Sequence, residues 1–380
     1  MIHEIADSQH VKYPVHTEYA DPSFTDAYHN VKLNSHPPPR DEAEDRYRDI
    51  ETRFDFKCRV RRWDLNPDAG KPKLFMISGI AHSCNFFNPL VKCMSIDDDF
   101  MANVSQVYAF DLPGHGASGS PPNIKFGMLR LDDYVDVIVQ IMDIVKSEAG
   151  NIDYVVAHSM GGMLAMLVEK FLLANEDPTS LHRRYSTEGV ILLASAVPEQ
   201  VRWAFGEGCL IRYGIPLSML TMLLPYVTVS PRYLAYGRLS NDDFLKTFFA
   251  VYSEHSPAVE VVPGAPAGDT VSIINSAESY AALAELGGLD FDFERHGTFK
   301  RPFIKKELFS AYKLGVAGYT KDILFQPEEE KELCEYLSTN TARRIYRTID
   351  HDYAVHDDAY TYPCPSFQFV KDVMNLPASQ

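Results

Sequence analysis

Cysteine is sparse in this chain, and positive charge is outnumbered. The six cysteines (Cys58, Cys84, Cys93, Cys209, Cys334, Cys364) are scattered, with no Cys-x-x-Cys pair. That spacing argues against a disulfide framework and for the reduced thiols of an intracellular protein. Lysine and arginine number 36 against 52 aspartates and glutamates, a net charge of −16. A phosphate backbone would be repelled, so no nucleic-acid partner is expected, and an anionic membrane gains nothing by charge. No apolar run reaches the length of a membrane span. The stretch Met1-Ile2-His3-Glu4-Ile5-Ala6-Asp7 has no cationic region followed by an apolar one, and Pro377-Ala378-Ser379-Gln380 carries no retention or peroxisomal address. A cytoplasmic location is the expectation. No internal repeat is apparent. What is present is ample: 380 residues, 46% hydrophobic, enough for one large core with room for an inserted subdomain.

Residues 1–50 are rich in His, Asp and Pro, including Pro37-Pro38-Pro39, and read as an extended arm. From Arg53 to Leu65 apolar Phe54, Phe56, Cys58 and Val60 alternate with Asp55, Lys57, Arg59 and Arg61, a strand pattern. The turn chemistry of Asn66-Pro67-Asp68-Ala69-Gly70 predicts an antiparallel pairing with the next strand, Lys73 to Ile77. Strands and helices then alternate, which predicts an α/β fold with a mostly parallel central sheet flanked by helices. Val107–Phe110, Ile152–Val156, Val190–Ala194, Lys313–Ala317 and Ala342–Ile349 are the further strands. Apolar residues at helical spacing mark helices from Leu131 to Val145, Met160 to Asn175, Glu328 to Leu337 and Phe367 to Met374. Roughly a hundred residues between Ala194 and Lys313 are too many for a simple connection. They predict an inserted, mainly helical cap over 197–302, between core segments 51–196 and 303–380. Its apolar content (Trp203, Phe205, Leu217, Leu223, Phe244, Phe248) suits packing onto the core and the lining of a hydrophobic pocket.

The chemistry centres on Ala157-His158-Ser159-Met160-Gly161-Gly162. A serine between a buried strand and a helix, with small residues two positions to either side, is a nucleophile elbow. A hydroxyl needs a base to take its proton, and the base needs an acid to orient it. Asp322 follows the strand ending at Ala317, where catalytic groups of open sheets collect. After the last strand comes Asp350-His351-Asp352-Tyr353-Ala354-Val355-His356. His351 is favoured as base because a group at a strand end is held by the sheet, with His356 as the alternative. Two backbone donors should receive the oxyanion, Met160 N–H after the nucleophile and Ile80 N–H in the loop Ser78 to Ser83. The five-residue spacing of the two histidines does not suit two ligands on one helical face, so neither metal nor cofactor is expected.

The elbow, the segment Phe110-Asp111-Leu112-Pro113-Gly114-His115-Gly116-Ala117-Ser118 and the late acid and base loops occur together and in order. In this the chain resembles the α/β-hydrolase-fold serine hydrolases, the group of esterases and monoacylglycerol lipases. The resemblance spans from about residue 54 to the C-terminus. It implies hydrolysis of a carboxylic ester, hydrophobic or lipid-like, through Ser159, His351 and Asp322. It also implies that Asp111 and His115 shape a loop and take no part in the reaction. The Asp-His stretch is similar to that of homoserine acetyltransferases, so acyl transfer is the second reading. A non-catalytic receptor or scaffold is the third. The partner expected is a small-molecule ester. Nothing in the sequence bears on the oligomeric state.

Overall fold

A computed structural model describes residues 23–32, 56–66, 70–79, 82, 84–113, 118, 131–174, 180–195, 304–320, 322, 325–350 and 363–377. Eight strands form one sheet: β1 (Thr25–Val31), β2 (Phe56–Asp64), β3 (Lys73–Ile77), β4 (Gln106–Phe110), β5 (Tyr154–His158), β6 (Gly189–Leu193), β7 (Lys313–Tyr319) and β8 (Arg344–Ile349). Their order is β1-β2-β4-β3-β5-β6-β7-β8. From β4 to β8 every neighbouring pair is parallel, while β1–β2 and β2–β4 are antiparallel.

Parallel strands need crossover connections, and these place helices on both faces of the sheet. The described helices are α1 (Asn88–Ile96), α2 (Asp98–Asn103), α3 (Leu131–Ala149), α4 (Met160–Ala174), α5 (Leu181–Tyr185), α6 (Pro327–Leu337) and α7 (Ser366–Met374). After Lys73, strand β3 is apolar throughout, and its packing shows why. Phe75 and Ile77 join a core with α3, α4 and α6, whereas Leu74 and Met76 join a second core with α1, α2 and α7. Alternation of side chains along the strand sends every residue into one core or the other.

Two expectations change at the sheet edge. Thr25–Val31 lies within the stretch read as an arm, yet it is a strand paired with β2 from Thr25↔Arg62 to Val31↔Phe56. Strand β2 does not pair with β3; its neighbours are β1 and β4. The reason lies in Arg59 and Arg61, which look solvent-facing in the sequence but are fully buried. Arg61 donates from Nε and Nη2 to the two Asp26 carboxylate oxygens at 2.7 and 2.8 Å. Arg59 Nε donates to Asp111 Oδ2 at 2.7 Å. Those acids sit on β1 and at the end of β4, so β2 satisfies its buried cations only between these two strands.

Asp111 also reaches the site. Its Oδ1 accepts the Cys84 N–H at 2.7 Å, and its carbonyl accepts the Ser118 hydroxyl at 2.8 Å. The loop after β4 is thereby tied to β2 and to the far end of the loop that follows β3. Asp111→Ala would take from the buried Arg59 its Nε partner and leave the Asp26 carboxylate 3.6 Å from Nη1, and an unfolding free energy lower by about 3 kcal/mol is expected. Urea denaturation measures it; an unchanged midpoint would contradict this account of the β2 edge. Residues 197–302, the expected cap, lie outside the described residues. Strands β6 and β7 are adjacent and paired, Gly189↔Lys313 to Leu193↔Ala317, so the whole stretch 194–312 is an insertion between neighbours. Among the described residues, no helix is long and apolar enough to cross a membrane.

Candidate active site

The sequence order of the strands reverses around β3. The chain passes from β3 to β4 by way of α1 and α2 on one face, then reaches β5 through α3 on the other. Ligands of open α/β sheets bind in the crevice that such a reversal leaves at the carboxyl ends of the strands. Ser78-Gly79 leave the carboxyl end of β3 here, and Ser159 leaves that of β5.

Ser159 is held in a backbone conformation that a side chain rarely adopts, with φ at +53°. A non-glycine residue there is strained, typically by about 1–3 kcal/mol, and persists only where its surroundings fix it. They do so here. Ser159 N–H donates to Leu193 O at 3.0 Å, which locks the turn to β6, and Gly162 N–H donates to Ser159 O at 3.0 Å, which opens α4. The small residues around it have steric reasons. A Cβ on Gly161 would lie 2.3 Å from Ile77 O, and one on Gly162 would lie 2.2 Å from Ser195 Oγ. Ala157, the methyl-bearing residue at the other small position, is fully buried within β5 beside Ile77 and Leu192. The sheet accepts that one methyl group.

Helix α4 begins at Met160. Its first N–H groups have no partner within the helix, and their partial positive charge favours an anion. Met160 N–H, the first of the two expected oxyanion donors, is the first N–H of this helix. Ile80, the second, lies outside the described residues. Gly79, the residue before it, is adjacent to Ser159: a Cβ on Gly79 would sit 2.8 Å from Ser159 Cβ. The same point is 3.2 Å from His158 Nδ1 and 3.3 Å from His82 Nδ1. Both imidazoles are buried, with Phe86 packed against them at ring-centroid distances of 4.3 Å to His82 and 4.4 Å to His158. The three rings form a wall beside Ser159.

Asp322 lies just beyond β7, 5% exposed. Its N–H donates to Tyr319 O at 3.2 Å, and its Oδ1 accepts the Phe325 N–H at 3.1 Å. His351 and His356 are outside the described residues, but the strand that leads to them is not. Thr320 N–H donates to Ile349 O at 3.1 Å, and the Thr320 hydroxyl donates to Asp350 Oδ1 at 2.8 Å. The end of β7 is thus fastened to the residue immediately before His351. His115 also falls outside the described residues, and among those described no group of His, Cys, Asp and Glu could hold a metal ion.

One residue at the site escaped the sequence reading. Glu330 belongs to the run Glu328-Glu329-Glu330, which looks like a solvated helix start, yet it is 1% exposed. Burial first, then the neighbouring charges of Asp322 and Glu329, push its carboxyl well above the usual range. The signal was present. Glu330, Leu333, Cys334 and Leu337 are the buried residues of α6, and their spacing is that of one helical stripe.

Comparison with known proteins agrees with this geometry. A sequence profile of the alpha/beta hydrolase family matches residues 74–298, more than half of the chain. The chain belongs to the alpha/beta hydrolase family. Among solved structures, a thermophilic esterase from Thermogutta terrifontis is similar with a TM-score of 0.50 at 14% identity, over 91% of this chain and 98% of that one. A mutant of DbjA gives a TM-score of 0.50 at 14% identity, over 84% and 97%. The enol-lactonase from Burkholderia xenovorans LB400 gives 0.49 at 14% identity, over 84% and 96%. At such identities the likeness is one of fold. No curated protein sequence matches the chain. As an alpha/beta hydrolase, the chain carries its antiparallel edge on β1 and β2 and its elbow between β5 and α4.

Proposed function

We propose that this alpha/beta hydrolase is a serine hydrolase that cleaves a carboxylic ester, with a hydrophobic or lipid-like substrate. The observation that carries the reading is Ser159, a non-glycine residue held at φ +53° in the crevice between β3 and β5. A hydroxyl held on such a turn at the carboxyl end of a parallel strand suits attack on a carbonyl. His351 takes the proton of Ser159 as the hydroxyl oxygen attacks the ester carbon, and Asp322 orients the imidazole and offsets its charge. The N–H groups of Met160 and Ile80 receive the negative oxygen of the tetrahedral intermediate; loss of one such donor costs about 2.7–4 kcal/mol of transition-state stabilisation. His351 then protonates the leaving alcohol. Water, deprotonated by the same imidazole, releases the acid and restores the serine. The esterase named among the similar structures supports the reaction class. The apolar residues of 197–302 support the preference for hydrophobic esters.

A series of p-nitrophenyl esters of rising acyl length tests the reading. Turnover without any added acceptor is expected, with kcat/KM rising from acetyl to medium chains by about tenfold for each two methylenes buried. Release that depends on an added alcohol or thiol would replace hydrolysis by acyl transfer. A flat series would remove the hydrophobic pocket.

A further inference from the structure

Glu330 projects from the first turns of α6 against β7. A Cβ added at Gly318 would lie 3.3 Å from both Cβ and Cγ of Glu330, so the glycine lets this side chain rest closely on the strand. Four residues further along, the chain carries Asp322, folded back by its bonds to Tyr319 and Phe325. From β6 the Ser195 N–H is directed toward the Glu330 carboxyl, although neither carboxyl oxygen closes a hydrogen bond of normal geometry. The titratable groups acting with it are Asp322 beyond β7, Glu329 and Cys334 on its own helix, and Tyr346 on β8. All of these are neutral or negative, and no cation is among the described groups that act on it. Ser195 itself occupies the space that a side chain on Gly162 would fill. Glu330 therefore stands between the acid loop and the strand end that supports the elbow.

We propose that Glu330 is a positioning residue for Asp322: its acid proton lets the Asp322 carboxylate keep its buried place nearby, and loss of that proton displaces that carboxylate and ends activity toward alkaline pH. The inference rests on Asp322 being the acid of the proposed hydrolase. In the acid form, Glu330 adds no charge beside Asp322. Once ionised, it sets a second carboxylate against the first in a buried place, where like charges repel strongly. No bond is made or broken in the step; one proton passes from the carboxyl to water.

The test compares the wild type with Glu330→Gln, which keeps shape and a donor but does not titrate, and with Glu330→Met, which continues the apolar stripe. In the wild type, kcat/KM for a p-nitrophenyl ester is expected to fall on the alkaline side. In Glu330→Gln that limb moves up by at least one pH unit, while the plateau stays within threefold. Superimposable profiles overturn the proposal. A second series, melting temperature against pH, needs no turnover. Because the folded-state carboxyl holds its proton above the unfolded value of 4.5, wild-type stability is fully present below that pH and is lost as pH rises toward the folded value. Both variants lack this loss, so their advantage over the wild type grows with pH; a constant difference overturns the inference. A wild type with no turnover and no serine labelling would instead overturn the hydrolase reading and the catalytic part of this one. The melting series would still report on Glu330 by itself.

Discussion

Ser159→Ala lowers kcat about 10⁶-fold while leaving the fold intact. The size follows from the role: in a serine triad the nucleophile and its base act as a unit, and removing either costs nearly as much as removing all three residues. What remains is substrate binding and the oxyanion donors, about 10³–10⁴-fold over water. The variant is a clean one. Alanine fits wherever serine does, and the bonds that hold the turn, from the backbone N–H of residue 159 to Leu193 O and from Gly162 N–H to the carbonyl of residue 159, are both made by the main chain. A melting temperature within a few degrees of the wild type is expected beside the lost turnover. Retained turnover would show that the strained serine is a structural feature only.

His351→Ala is expected to match Ser159→Ala in its loss, about 10⁶-fold in kcat, and His356→Ala to stay within tenfold of the wild type. The distinction is one of support. Ile349 ends β8, paired in register with Tyr319, and Thr320 grips both Ile349 and Asp350. A base one residue beyond that clasp inherits its position from the sheet, whereas one five residues later depends on its own loop. A pH profile separates the two further, because loss of the true base removes the acidic limb of kcat/KM. The reverse pattern, with His356→Ala inactive and His351→Ala active, would move the base while leaving the nucleophile in place.

Much of this molecule is legible in its sequence, for physical reasons. Strands β3, β5, β6 and β7 are mostly apolar because both sheet faces are covered, so short apolar runs between turns betray them. The elbow is legible because sterics admit only small residues at Gly161 and Gly162, and that restriction leaves a pattern of fixed spacing. The sheet edge is not legible. Alternation along β2 suggests a solvated face, but Arg59 and Arg61 are buried by acids 52 and 35 residues away in the chain, pairings that no local pattern announces. Helices α1 and α2 were also missed. The first opens on Asn88-Pro89 with no side-chain cap at Phe87, so the capping part of the start signal is absent. Glu330 was missed differently: three consecutive glutamates read as surface, and the apolar stripe they interrupt is seen only once the helix is in place.

The most direct measurement is covalent. Reaction of the wild type with a fluorophosphonate, followed by proteolysis and mass mapping, should place a single adduct on the peptide containing Ser159, with no adduct in His351→Ala. An adduct elsewhere in the chain, or a folded wild type that takes up none, would contradict the assignment of that hydroxyl as an activated nucleophile.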